Sequence, residues 1–266
     1  KPKPGTPLLP GMVLKKAQHG SRDALPGPVR VHHQGVGDGN ALVNLVSDLH
    51  LEENAGLVHL RLQDAGPEAI HLAGSDVQLQ RSARYRSLAF TTGALFSRHE
   101  IGVELPGENA ELELNGTYLL RGRQHGDTTS VIRHVRPHTF AKQTYKGALD
   151  DRARAVFQGR IAVEREAQKT DGRMLNQTLL LSDKAEIDSK PELEIFADDV
   201  QCAHGATAGQ LDERALFYLR SRGLERERAK ALLVEAFVAE LIEEFPMEAV
   251  RPALSQRLRQ WLVSGQ

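Results

Sequence analysis

The only cysteine of the chain, Cys202, stands two residues before His204. In an extended segment, residues i and i+2 lie on the same side of the strand, about 6.6–7 Å apart, so the thiol and the imidazole would share a face. Both groups are competent ligands for iron or zinc. Two ligands do not close a metal site, however, and the chain has no second thiol. The spacing leaves two interpretations open: a site shared with another subunit, or a buried thiol beside a hydrogen-bonded histidine.

Other polar residues offer weaker signals. Asp198 and Asp199 are adjacent, so in a strand they would face opposite sides; we expect them to cap turns rather than act as a carboxylate pair. Residues 169–172 (KTDG) predict a turn in which Gly172 supplies the positive φ. Further histidines are scattered without ligand spacing and are expected on the surface or on strand faces: His32, His33, His50, His59, His71, His99, His125, His134 and His138.

Motifs of self-contained catalysis are missing from the sequence. The chain has no GxxxxGK[ST] loop for nucleotide phosphates, no Gly-x-Ser-x-Gly and no His-Glu-x-x-His. The sequence therefore gives no positive indication of an active site, and we expect a protein that is not an enzyme.

The middle of the chain, from about residue 41 to 200, alternates apolar and polar residues in short stretches, the pattern of strands with one buried face. The clearest stretches are residues 57–62, 77–80, 101–105, 111–114 and 161–163. A faint repeat of a polar pair, an alanine and a strand occurs at 53–58, 108–113 and 183–188. Rungs of roughly 20–30 residues fit a solenoid of stacked strands. The repeat alone leaves an antiparallel sandwich open.

The C-terminal part changes to a helical pattern. Asp212 is a good helix N-cap and Gly223 a good stop. An amphipathic stripe covers residues 229–241, and Pro246 interrupts the helical pattern after it. A third stripe covers 250–262. These patterns predict an irregular N-terminal segment (1–40), a β-helix core (41–210) and a C-terminal helical domain (211–266).

Composition restricts the setting of the protein. The 266 residues carry 34 basic and 35 acidic side chains, a net charge of −1, which does not indicate nucleic acid or a membrane as partner. No apolar run approaches the roughly 20 residues that span a bilayer. The sequence shows no signal-peptide pattern, and one cysteine fits the reducing cytoplasm. It lacks an initial methionine, so we expect a fragment.

Several long motifs in residues 127–223 resemble SufD within the SufB/SufD family of iron–sulfur cluster assembly proteins. They are residues 153–161 (ARAVFQGRI), 169–172, 176–186 (NQTLLLSDKAE), 190–200 (KPELEIFADDV), 202–207 (CAHGAT) and 217–223 (FYLRSRG). The resemblance implies a right-handed parallel β-helix flanked by helical domains, of which the N-terminal one has no counterpart here. One departure is Ala203, where many relatives are expected to have serine; it lies on the face opposite Cys202 and His204.

The resemblance also implies a function. The chain would be a non-catalytic scaffold of the SufBCD complex, pairing with SufB through the β-helix and binding the SufC ATPase through its C-terminal helices. His204 and Cys202 would lie near a transient Fe–S cluster at the SufB interface, with no cofactor held stably by this chain alone. The isolated chain could form a homodimer through the same surface.

Three alternatives remain at this point. A SufB-like paralogue shares the fold but typically has several cysteines. A carbohydrate-active β-helix enzyme needs aromatic sugar platforms, and only 5% of these residues are aromatic. A free-standing metalloenzyme needs three or four ligands.

Overall fold

The structure, a computed structural model, describes residues 41–263. The predicted irregular segment at 1–40 lies outside the described residues. Twelve strands come first: β1 (Leu42–Leu51), β2 (Gly56–Gln63), β3 (Ile70–Leu79), β4 (Arg84–Thr91), β5 (Phe96–Leu105), β6 (Glu111–Leu120), β7 (His125–His134), β8 (Phe140–Leu149), β9 (Arg154–Val163), β10 (Asp171–Leu180), β11 (Glu186–Ile195) and β12 (Gln201–Gly209). Three helices follow: α1 (Glu213–Ser221), α2 (Arg226–Glu244) and α3 (Arg251–Val263), the last preceded by a 3₁₀ turn at Glu248–Val250.

The strands form two parallel six-stranded sheets, ordered β1-β3-β5-β7-β9-β11 and β12-β10-β8-β6-β4-β2. Consecutive strands thus alternate between the sheets, and each strand pairs in register with the strand two places along the chain. This is a solenoid of six two-stranded turns. The predicted parallel β-helix is confirmed, and the antiparallel sandwich is excluded.

One corner of the solenoid explains the alanine repeat at 53–58 and 108–113, whereas the copy at 183–188 lies at the opposite corner, before β11. At successive turns a residue with positive φ is followed by a small, buried or partly buried residue just before the next strand, as in Asn54–Ala55, Ser82–Ala83 and Asn109–Ala110. Backbone hydrogen bonds stack these corners: the Asn54 amide donates to the Arg81 carbonyl (2.9 Å), and the Ser82 amide to the Glu108 carbonyl (2.9 Å). At two later turns of the same corner the position holds a buried threonine, Thr139 or Thr170, so it is occupied by a small residue throughout, and the repeat can be recognised in the sequence where that residue is alanine.

The interior is filled by the alternate residues that face inward, and large and small residues complement one another between turns. Tyr145 is in register with Gly116, and Tyr118 with Gly147. A Cβ atom at Gly116 would come within 2.1 Å of the Tyr145 ring. The Tyr145 ring therefore lies over the backbone of Gly116, and these two glycines make room for the two tyrosines.

The helices cover the outer face of the second sheet and share a core with it. Leu88, Phe90 and Leu119 of that face pack with apolar residues of the helices: Val234, Val238, Leu241, Ile242, Leu254, Leu258 and Trp261. The Lys146 ammonium, on the same face, donates to the Phe237 carbonyl (3.1 Å) and pairs with Glu240. The helical region is thus attached to the solenoid through an apolar interface.

The start and stop predicted for the first helix are observed. Asp212 accepts a hydrogen bond from the Arg214 amide (2.8 Å), as an N-cap does, and Gly223 follows the helix with φ of +90°. None of the described helices is long and apolar enough to cross a membrane.

Candidate functional site

Cys202 and His204 both lie on β12, the last strand of the solenoid. In register they oppose Gly172 and Met174 of β10, and Met174 is buried in the solenoid core. Residues paired across parallel strands point to the same side of the sheet, so both side chains belong to the inward face. The structure thus places the thiol and the imidazole on one face, at the end of the interior.

The two residues differ in exposure although both lie on β12, in the last turn. Cys202 is half-buried and packs against the solenoid core, whereas His204 is exposed. Burial is the main reason that the pKa of the Cys202 thiol is raised, and the negative charge of Asp171 adds to it. The Gly172 backbone opposes this shift through a hydrogen bond. At neutral pH the thiol therefore keeps its proton in the isolated chain.

His134 is a third residue of this region that the sequence did not single out. It is fully buried, and its Nε2 atom has no hydrogen-bond partner in the part of the chain that the structure describes. A Cβ atom built on Gly172 would lie 3.4 Å from Cys202 Sγ and 3.7 Å from His134 Nε2, so both atoms border the same small space. Desolvation lowers the pKa of His134 to about 4. The imidazole is therefore neutral at physiological pH.

Hydroxyl groups form a hydrogen-bonded chain on the Nδ1 side of the His134 ring. His134 Nδ1 lies 2.7 Å from Thr139 Oγ1, which also reaches the Arg136 carbonyl (3.2 Å). Thr170 donates its own proton to the Ala167 carbonyl (2.8 Å) and lies 3.1 Å from Thr139. With Thr139 donating to Arg136 or Thr170, His134 Nδ1 donates to Thr139, and Nε2 presents a lone pair toward the Gly172–Cys202 side.

The acidic pair lies in the turn between β11 and β12, as expected for residues that cap turns. The Asp199 carbonyl accepts from the Lys169 amide (2.6 Å), its carboxylate pairs with the Lys169 ammonium, and its amide donates to Gln168 Oε1 (2.9 Å). The prediction for Gly172 is wrong. Lys169 has the positive φ (61°), while Gly172 lies within β10, where a Cβ atom would fit tightly, 3.3 Å from Ile161 Cγ2 and 3.4 Å from Cys202 Sγ.

Four of the described histidines are buried on inward strand faces: His59, His71, His99 and His134. Among residues 41–263, no three histidine, cysteine or carboxylate side chains are grouped so that they could hold a metal ion. Cys202 and His204 therefore offer an incomplete set of ligands. An iron ion bound to them would need further ligands from elsewhere.

Comparisons with known proteins give the family. Residues 28–237 match the family described as "SUF system FeS cluster assembly, SufBD core domain". The chain is 39% identical over 213 residues to the iron-sulfur cluster assembly SufBD family protein slr0076 of Synechocystis, covering 80% of this chain and 47% of that protein. It is 36% identical over 234 residues to the iron-sulfur cluster assembly protein SufD of Escherichia coli, covering 88% of this chain and 55% of that protein.

A protein of Mycobacterium leprae, the iron-sulfur cluster assembly SufBD family protein ML0594, is 31% identical over 234 residues, with 85% of this chain and 59% of that protein covered. The chain thus spans about half the length of the curated relatives that it matches. These relatives are named for cluster assembly and not for a catalysed reaction. With its family match, its identity to SufD and its parallel solenoid, the chain belongs to the SufBD family of iron–sulfur cluster assembly proteins.

Proposed function

We propose that this chain is a SufD-type scaffold in iron–sulfur cluster assembly, which works in the cytoplasm without catalysing a reaction. It pairs with SufB through the last turn of the solenoid, binds the SufC ATPase through its helical region and contributes His204 and Cys202 to the place where a cluster forms. The observation that carries this proposal is the open last turn, which presents both candidate ligands beside unpaired strand edges.

The last turn has the properties of a pairing surface. Within residues 41–263, β11 pairs only with β9, and β12 only with β10, so each strand leaves one edge without a neighbour. Exposed strand edges readily pair with another chain. Beside them, Ile195 is 41% exposed and Phe196 is 62% exposed. A partner that added strands here would bury these apolar groups and the inward face of β12.

The same turn explains why a cluster site would be shared. Cys202 and His204 are the ligand-type side chains on the inward face of β12, and a stable site for iron needs more ligands than two. Docking of a second solenoid end would bring its own side chains opposite them and exclude water. The Fe–S cluster is the cargo of such a site and is passed on, in keeping with a chain that holds no cofactor stably by itself.

The ATPase would dock on α1. Two aromatic side chains of this helix point to solvent, Phe217 at 74% and Tyr218 at 57% exposure, although the neighbouring Leu216 is buried. The apolar faces of α2 and α3, in contrast, are used against the solenoid. Adjacent exposed aromatic residues are typical of protein interfaces, where they supply much of the binding energy.

His204 is the residue that tests this function. We expect His204→Ala to leave the thermal unfolding temperature within about 1–2 °C of the wild type, because the side chain is exposed and surface substitutions change stability by roughly 0.5 kcal/mol or less. Assembly with SufB and SufC should persist, and the yield of cluster should fall. Cys202→Ser, measured beside it, should also lower the yield, with a larger effect on stability because Cys202 packs against the core.

A matched control comes from the far end of the solenoid. His50, on β1, is also partly exposed and paired only with Asp48 (3.0 Å). His50→Ala should leave the cluster yield unchanged. Wild-type cluster yield in His204→Ala would remove His204 from the proposed site and leave the scaffold role to be decided by complex formation alone.

A further inference from the structure

The interior of the solenoid contains a guanidinium group without a counter-charge. Arg61 lies on the inward face of β2 and is 4% exposed. No aspartate or glutamate is buried among the described residues. Within residues 41–263 no carboxylate forms an ion pair with Arg61, and its ionisation responds to burial and to Tyr145. The first turns of the solenoid are therefore electropositive inside.

The contacts of Arg61 leave part of its hydrogen-bonding capacity unused. Its Nη2 atom lies 3.2 Å from His71 Nδ1, but its Nε–H is buried and has no partner among the described residues. Desolvation lowers the pKa of Arg61 to about 10. The guanidinium is still protonated at neutral pH, so a full positive charge is buried, and a buried charge is costly unless it is paired.

Two small cavities of about 10 Å³ each border Arg61. One of them is also lined by Tyr145, whose Oη atom is buried and has no partner within residues 41–263. In register, Ala89 and Gly116 separate Arg61 from Tyr145, and these small residues leave the space between the two side chains. Burial raises the pKa of Tyr145, so the phenol keeps its proton and can donate it.

We propose that the cavity between Arg61 and Tyr145 binds one small monovalent anion of the size of chloride. Both unpartnered groups at this cavity can donate a hydrogen bond, the Arg61 Nε–H and the Tyr145 hydroxyl, and one of them is charged. The volume suits a single water-sized particle and is too small for a tetrahedral oxyanion. A water molecule would satisfy the donors but would leave the positive charge uncompensated.

The nearest acidic residue at this cavity does not supply the missing charge. Asp127 borders the cavity through β7, but its carboxylate lies on the outer side of the strand, 3.3 Å from Thr129 Oγ1 and 3.8 Å from Arg98. The bound anion is thus a structural ligand of the first turns, and it makes the stability of the solenoid depend on the anion concentration.

Thermal unfolding of the purified chain tests the proposal. The unfolding temperature is compared in sodium chloride and in sodium gluconate at equal ionic strength, because gluconate is too large for the cavity. The unfolding temperature should rise by a few degrees with chloride and not with gluconate. Arg61→Met should abolish this difference. Arg133→Met, at an exposed arginine, should retain it. Tyr145→Phe keeps the ring and the charge, and should require a higher chloride concentration for the same shift.

A crystal grown in sodium bromide gives an independent measurement, because bromide scatters anomalously. An anomalous peak between Arg61 and Tyr145 is expected. The proposal is overturned if chloride and gluconate give the same unfolding temperature in the wild type, if Arg61→Met keeps the chloride effect, or if the cavity contains only water in the bromide crystal. If Arg61→Met fails to fold, the chloride dependence of Tyr145→Phe and the bromide crystal still test whether the cavity binds an anion.

Discussion

The fit of Tyr145 over Gly116 predicts a large effect from one methyl group. In Gly116→Ala the new Cβ would lie 2.1 Å from Tyr145 Cε1 and 2.6 Å from Cδ1 and Cζ, where about 3.5–4 Å is the ordinary contact distance. Tyr145 is 2% exposed and its ring lies 5.2 Å from that of Phe157, so it has little space to move. Overpacking of such a core costs about 1–3 kcal/mol, and the closeness of this contact indicates the upper part of that range.

The assay is equilibrium unfolding in urea, supported by thermal unfolding. A loss of about 3 kcal/mol corresponds to an unfolding temperature lower by roughly 6–12 °C for a chain of this size. The matched control is Gly74→Ala on β3, where a Cβ atom meets nothing within 4 Å; it should leave stability within about 1 kcal/mol of the wild type. In a Tyr145→Ala background the cost of Gly116→Ala should largely disappear. Equal stability of Gly116→Ala and Gly74→Ala would refute the register and the packing derived from it.

Three further predictions concern pH, capping and the docking helix. Because His134 is held neutral, with a folded pKa of about 4 against about 6.5 when unfolded, its stabilising contribution is complete above pH 6.5 and is lost as the pH falls toward 4, on the order of 3 kcal/mol. Urea unfolding at pH 7 and pH 5 should show about 2 kcal/mol of this loss, and His134→Gln should reduce it; an unchanged pH dependence in that variant would contradict the assignment. Asp212→Ala should cost about 1 kcal/mol and weaken hydrogen-exchange protection at the start of α1, since the Arg214 amide loses its acceptor; unaltered protection would argue against the cap. Phe217→Ala should leave unfolding unchanged and weaken SufC binding, with Leu232→Ala on the exposed side of α2 as the control that retains binding.

The contacts between the helical region and the solenoid determine which variants can test SufC binding. Deleting residues 211–266 would expose Leu88, Phe90 and Leu119, which belong to the apolar core that the second sheet shares with the helices. Such a truncation would weaken the solenoid itself, and a loss of binding would then have two causes. Point substitutions at exposed residues of α1 keep this core intact, and they are therefore the sharper experiment.

Much of the fold could be predicted because residues that are close in the sequence identify its repeating unit. The alanines that follow the positive-φ residues Asn54, Ser82 and Asn109 mark one solenoid corner, and Asp212 and Gly223 mark the ends of α1. The sequence also indicated that Cys202 and His204 share a face, and their register with Gly172 and Met174 agrees with this expectation.

Features that depend on register between distant turns could not be predicted. The prediction for Gly172 is wrong because the local sequence does not distinguish a glycine in a turn from a glycine in a strand, and its tight fit against Ile161 and Cys202 arises from strands that are distant in sequence. Likewise, His134 could be placed on a strand face but not beside Cys202, since the two residues are brought together by different sheets. Arg61 also follows an ordinary alternating pattern, and its isolation from acidic residues appears only when the inward faces of all strands are compared.

The most direct test of the proposed scaffold function is recovery of the tagged chain from cells that also produce SufB and SufC, followed by gel filtration. We expect one complex that contains all three proteins in defined proportions. As a control, tagged SufB should retain SufC without this chain. Recovery of the chain alone, or as a homodimer only, while SufB and SufC remain competent to bind each other, would contradict the proposed scaffold function.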